Sequence, residues 1–186
     1  MSRLDIRYET GNGFRVRVEQ DYDAESPEDL WGDDESFLVS FHRQFYVTRD
    51  GLRKPEDVKG WEKDYSIIPL SAYIHSGVRL YTGTHKTCEW DSGQVGYVLV
   101  KKTLGTDVQH EEAERKVGIW NTYLSGDVWR VVVEKLRCGE CDTWEEYESL
   151  SCIYGEEGAE IEVQSWKNYL DKLKKEGLED GSRVTE

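Results

Sequence analysis

Residues 94–136 read QVGYVLVKKTLGTDVQHEEAERKVGIWNTYLSGDVWRVVVEKL, and the order of patterns within them decides the fold class. Residues 94–100 become apolar on both faces towards their end, as a central strand does. Residues 107–124 then carry Ala113, Val117, Trp120 and Leu124 at helical spacing. Asp107 is the expected cap, and Glu111, Glu112 and Glu114 favour the N-terminal end of that helix. Ser125-Gly126-Asp127 ends it, and residues 128–136 return to a strand pattern. Downstream, Cys138-Gly139-Glu140-Cys141 makes a turn and residues 144–154 form a partner strand. A second helix covers 158–175, with Ile161, Trp166, Leu170 and Leu173 available for one face. Upstream, alternation on either side of Gly11-Asn12-Gly13 predicts a hairpin over residues 4–18. Further strands are expected over 37–47, 67–74 and 78–81. Ser26 is placed to cap a short turn opened by Pro27. Strands joined by short connections make a largely antiparallel sheet with two helices packed on one face, an α+β fold rather than a doubly wound one. One domain is expected over residues 1–176, with a frayed polar tail at 177–186.

Composition bounds the function. The chain has 186 residues, with 24 Lys and Arg against 38 Asp and Glu, a net charge of −14. Phosphate binding needs a cationic surface, so direct nucleic-acid binding is disfavoured, as is attachment to anionic membranes. Seven Trp and eleven Tyr supply enough buried area to exclude a disordered acidic chain. No apolar run approaches the ~20 residues of a membrane span, and the first residues are charged and alternating, unlike a signal peptide. A cytoplasmic protein with four reduced thiols is expected.

The densest grouping of chemical side chains runs from Tyr73 to Gln94. His75-Ser76-Gly77 ends one strand, and Cys88-Glu89-Trp90-Asp91-Ser92-Gly93-Gln94 leads into another. If the strands are neighbours, His75, Asp91 and Ser92 meet at one sheet end. Asp91 then fixes the imidazole tautomer, and Ser92 or Cys88 stands as a nucleophile beside it. The structural alternative has Asp91 and Ser92 capping a turn, Trp90 in the core and His75 bonded to a carbonyl. Trp90 and Gln94 are the binding candidates of this group. The first Gly of a nucleophile elbow is missing, and no glycine-rich phosphate loop is present.

Cys138 and Cys141 have the spacing of a zinc half-site, but a second pair is missing; Cys152 is the available third ligand. A redox dithiol is disfavoured because the pair does not open a helix. No metal and no cofactor are assigned. Asp21-Tyr22-Asp23-Ala24-Glu25 departs from a calcium loop at Ser26 and Gly32. The acidic stretch ending in Asp33, Asp34 and Glu35 reads instead as a solvated face that can dock on basic protein, with residues 156–162 able to extend it.

Several strings recur together: Ser26-Pro27 with Leu30-Trp31, Phe41-His42-Arg43, Tyr73 with His75-Ser76-Gly77, Cys88 with Trp90-Asp91-Ser92-Gly93-Gln94-Val95-Gly96, Tyr123-Leu124 with Gly126-Asp127-Val128, and Ser151-Cys152 with Tyr154-Gly155. In this order the chain resembles a family of small uncharacterised proteins encoded by bacteriophages and related mobile elements. The resemblance implies a setting, the cytoplasm of a bacterial host, and no particular chemistry. In that setting two functions are expected. One is a small acidic accessory protein that binds and inhibits a host protein with a basic surface, such as a nuclease of a CRISPR or restriction system. The other is a small-molecule or nucleotide-handling protein, binder or hydrolase, built around His75 and Asp91. Of these the inhibitor, not an enzyme, is the favoured reading.

Overall fold

The computed structural model describes residues 7–9, 13–30, 35–49, 51–84, 90–138 and 140–176. The fold is α+β, with antiparallel pairing throughout the named strands. The chain forms two compact units, one from residues 1–24 with 127–186 and the other from residues 25–126.

In the first unit, β1 (Arg7–Glu9), β2 (Phe14–Gln20), β8 (Val128–Cys138) and β9 (Thr143–Tyr154) form a sheet in the order β1-β2-β8-β9. Alternation puts Phe14, Val16 and Val18 on one face of β2, level with Val131 and Val133 of β8. The helix α3 (Glu156–Glu176) lays Ala159, Val163, Trp166, Leu170 and Leu173 over that face, a three-and-four spacing that makes one apolar stripe. The opposite face is charged. Glu134 accepts from Arg15 at 2.5 Å and from Arg17 at 2.9 Å, and Arg130 bonds Glu146 at 2.9 Å.

In the second unit, β3 (Ser36–His42), β4 (Phe45–Val47), β5 (Tyr65–Ile74), β6 (Val78–Thr82) and β7 (Ser92–Lys101) form a sheet in the order β4-β3-β7-β5-β6. The helix α2 (Thr106–Leu124) covers one face through Ala113, Val117 and Trp120, against Leu38, Leu70, Val98 and Val100. A 3-10 helix, Pro55–Trp61, covers part of the other face around Phe37, Val39 and Leu99. The central strand β7 is buried on both sides, as its double-faced apolarity predicts. The short helix α1 (Pro27–Leu30) starts as expected, with the Ser26 hydroxyl accepting from the Asp29 N–H at 3.3 Å.

Several expectations need correction. The strands divide between two sheets, each with one helix, because β2 pairs with β8 more than a hundred residues later. Residues 37–47 make two strands, not one; the chain reverses after His42, where Gln44 N–H donates to His42 Nδ1 at 3.3 Å. The segment expected as a loop before β5 holds the 3-10 helix, opened by Pro55 and tied down by Asp57, whose carboxylate accepts from the N–H groups of Arg53 and Lys54. Gly105, not Asp107, stands at the α2 cap, and Asp107 acts in the first turn. Ile161 is 65% exposed on α3; Ala159 and Val163 take its place in the stripe. The start of the 4–18 hairpin, Gly11-Asn12 of its turn and the 177–186 tail lie outside the described residues. Among the described residues no helix is long and apolar enough to cross a membrane.

Candidate functional site

The candidate site forms where β5 ends and β7 begins, because the two strands are antiparallel neighbours with Tyr73 level with Ser92. The backbone continues that pairing past the strand, with Ile74 N–H donating to the Asp91 carbonyl at 2.8 Å. His75 and Asp91 are thereby brought together: Nδ1 lies 3.5 Å from Asp91 Oδ2, at the outer limit of a hydrogen bond. The two side chains are 67% and 34% exposed. The His75 ring stacks on Tyr73, with centroids 6.4 Å apart and planes at 29°. The His75 N–H donates to the Gly77 carbonyl at 3.2 Å, closing the turn into β6.

Trp90 corrects the structural alternative: it is 91% exposed rather than buried in the core. Gln94 is exposed, its amide reaching the Gly96 carbonyl at 3.5 Å. Ser92 opens β7 opposite Tyr73. Cys88, Asp33 and Asp34 lie outside the described residues. Glu35 is exposed, and its carbonyl accepts from Lys101 N–H at the start of β3.

One backbone irregularity places Gln94 and Ser92 on the same face. Register shifts between Leu70 and Ser71, so that Leu70 opposes Gly96 while Ser71 opposes Gln94. Val95 is the extra residue and joins the core under α2. Strict alternation from Tyr97 would have turned Gln94 and Ser92 towards the core; the bulge returns both to the face of Tyr97. That face, away from α2, therefore carries Phe41, Tyr97, Gln94, Tyr73 and Tyr81; further along the sheet it is covered by the 3-10 helix around Phe37, Val39 and Leu99. A cleft of about 370 Å³ opens there, lined by Phe41, His42, Pro55, Gln94 and Tyr97 among others. Sequence reading missed the tyrosines of this face; their parity along β5, β6 and β7 is visible only once register and bulge are known.

Two carboxylates of the acidic stretch, Asp21 and Glu28, serve the fold. Asp21 Oδ2 accepts from the Cys152 N–H at 2.8 Å in the first unit. In the second, Glu28 Oε1 accepts from Leu38 N–H at 3.0 Å and from Trp120 Nε1 at 3.1 Å, and lies 3.7 Å from Lys116 Nζ. Burial pushes the Glu28 carboxyl above the usual range, although Lys116 pulls the other way. Glu112 is held below that range, foremost by Arg115, with the Ser36 hydroxyl adding to it against partial burial. Burial alone would raise Glu134, but the bonds from Arg15 and Arg17 outweigh it and hold that carboxyl low.

Among the described residues no group of three or more His, Cys, Asp or Glu side chains is placed to hold a metal ion. Cys152 sits near the far end of β9, level with the start of β8, while Cys138 and Cys141 flank the hairpin tip, so the three thiols do not converge. Comparisons with family models, with curated proteins and with solved structures found no match.

Proposed function

We propose that the protein is a small phage-type accessory protein that binds and inhibits a basic protein of a bacterial host, and that the aromatic end of the five-stranded sheet is its contact surface. The observation that carries this reading is Trp90, 91% exposed beside the His75–Asp91 pair. Exposed Trp and Tyr are the side chains that dominate binding energy at protein interfaces. The net charge of −14 selects a basic partner by complementarity and disfavours nucleic acid itself. His75 and Asp91 both keep substantial contact with water, which weakens electrostatic catalysis, so the reading assigns them recognition.

The test is a pull-down of the tagged chain from bacterial lysate followed by native mass spectrometry. A stoichiometric basic protein, released by salt and no longer captured by Trp90→Ala, supports the reading. Capture unchanged by Trp90→Ala overturns the assigned surface. A second reading rests on the cleft lined by Phe41, His42, Gln94 and Tyr97, whose flat rings and amide suit a planar base. A nucleotide that raises the melting temperature of the wild type but not of Gln94→Ala would favour it.

A further inference from the structure

The hairpin tip between β8 and β9 holds two thiols in contact: Cys141 Sγ donates to Cys138 Sγ at 2.7 Å. The contact places the two sulfurs within reach of one another, and no third metal ligand accompanies the pair among the described residues. Cys141 is exposed and Cys138 half-buried. The Cys138 thiol is held below its ordinary pKa, foremost by the Cys141 thiol and then by the N–H groups of Cys141 and Glu140, which favours the reactive thiolate. A cleft of about 470 Å³ adjoins the tip, lined by Lys135, Leu136, Arg137, Glu145, Glu146 and Tyr147. Its rim carries the exposed Arg137–Glu145 pair at 3.5 Å, whose cation and carboxylate can exchange partners with those of a small zwitterionic peptide.

We propose that Cys138 and Cys141 form a thiol–disulfide exchange site that takes low-molecular-weight peptide disulfides of the glutathione type. The Cys138 thiolate attacks one sulfur of the oxidised peptide; a new S–S bond forms, the old one breaks, and one peptide leaves as a thiol after taking up a proton. Cys141, as its thiolate, then attacks Cys138 Sγ and releases the second peptide thiol. The two protein thiols are oxidised to one disulfide, and the peptide disulfide is reduced to two thiols.

The test uses the full chain and oxidised glutathione, with free thiols counted and the intact mass measured. The expected result is loss of two of the four thiols per chain, with a disulfide mapped to Cys138 and Cys141 and reversed by dithiothreitol. Cys141→Ser should stall at a glutathione adduct on Cys138, while Cys88→Ser and Cys152→Ser should close the bond as the wild type does. Arg137→Gln should slow exchange with oxidised glutathione about threefold, and leave exchange with neutral hydroxyethyl disulfide unchanged. Four thiols retained, a bond mapped to Cys88 or Cys152, or no trapped adduct in Cys141→Ser would each overturn the site. Equal slowing of both reagents by Arg137→Gln would overturn the peptide cleft.

Discussion

A Cβ on Gly96 would stand 1.9 Å from the Val39 carbonyl oxygen and 2.8 Å from Ser40 Cα. Both obstacles are backbone of β3, so relief requires β3 and β7 to separate in the centre of the sheet. Gly96→Ala should therefore cost more than about 3 kcal/mol, read as a lowered urea midpoint at unchanged slope. Glu28 and Lys116 make a second residue-scale case. Lys116 is 1% exposed, and Glu28 is the anion beside it. Removing one partner strands a buried charge, so Glu28→Ala should destabilise by about 3–5 kcal/mol, whereas Glu28→Gln with Lys116→Met should cost less than about 1 kcal/mol. A double variant as unstable as Glu28→Ala would overturn the stranded-charge account, because the Gln amide oxygen can still accept from Leu38 N–H and Trp120 Nε1. Neither feature is legible from residue identity alone: Gly96 reads as one glycine in a strand, and Glu28 as one of many carboxylates in an acidic loop.

At the scale of elements, the outer face of the first sheet is tied by Glu134 between Arg15 and Arg17. A carboxyl with its folded pKa held low contributes stability that is fully present above its unfolded value, and loses it as pH falls through the folded value. Glu134 and Glu112 both have this sign. Glu28 has the opposite sign: its raised pKa favours the folded state in acid, a contribution that fades as pH rises through the folded value. Glu134→Gln should therefore flatten the acid limb of a stability–pH curve below about pH 4.5, and an acid limb identical to wild type would remove Glu134 from the account. The element borders were legible wherever periodicity is local. The alternation of β2, the double-faced run of β7 and the stripe of α2 each follow from a few consecutive residues. What was hidden depends on pairing at a distance. Nothing near Val95 announces a bulge, no Gly or Pro marks the reversal after His42, and two sheets cannot be told from one until β2 finds β8. The meeting of His75 and Asp91 was readable because neighbouring strand ends required only one pairing to be guessed.

For the molecule as a whole, net charge and contact surface act on different rate constants. Charge acts at long range and speeds encounter, whereas a desolvated aromatic anchor acts after contact and slows release. The proposed complex should show both separately. Raising salt from about 0.1 M to about 1 M shortens the screening length from about 10 Å to about 3 Å. With −14 charges facing a basic partner, the association rate should fall at least about tenfold over that range. Trp90→Ala should leave this salt slope unchanged and raise the dissociation rate about thirtyfold, the effect of losing a hot spot of about 2 kcal/mol. Neutralising Asp33, Asp34 and Glu35 together should do the reverse, lowering association and its salt slope with little effect on release. Stopped-flow association and surface-bound dissociation measure the two constants independently. An association rate flat in salt would reduce the acidity to a means of staying soluble. A dissociation rate untouched by Trp90→Ala would move the contact away from the His75–Asp91 end of the sheet, even with the charge dependence intact.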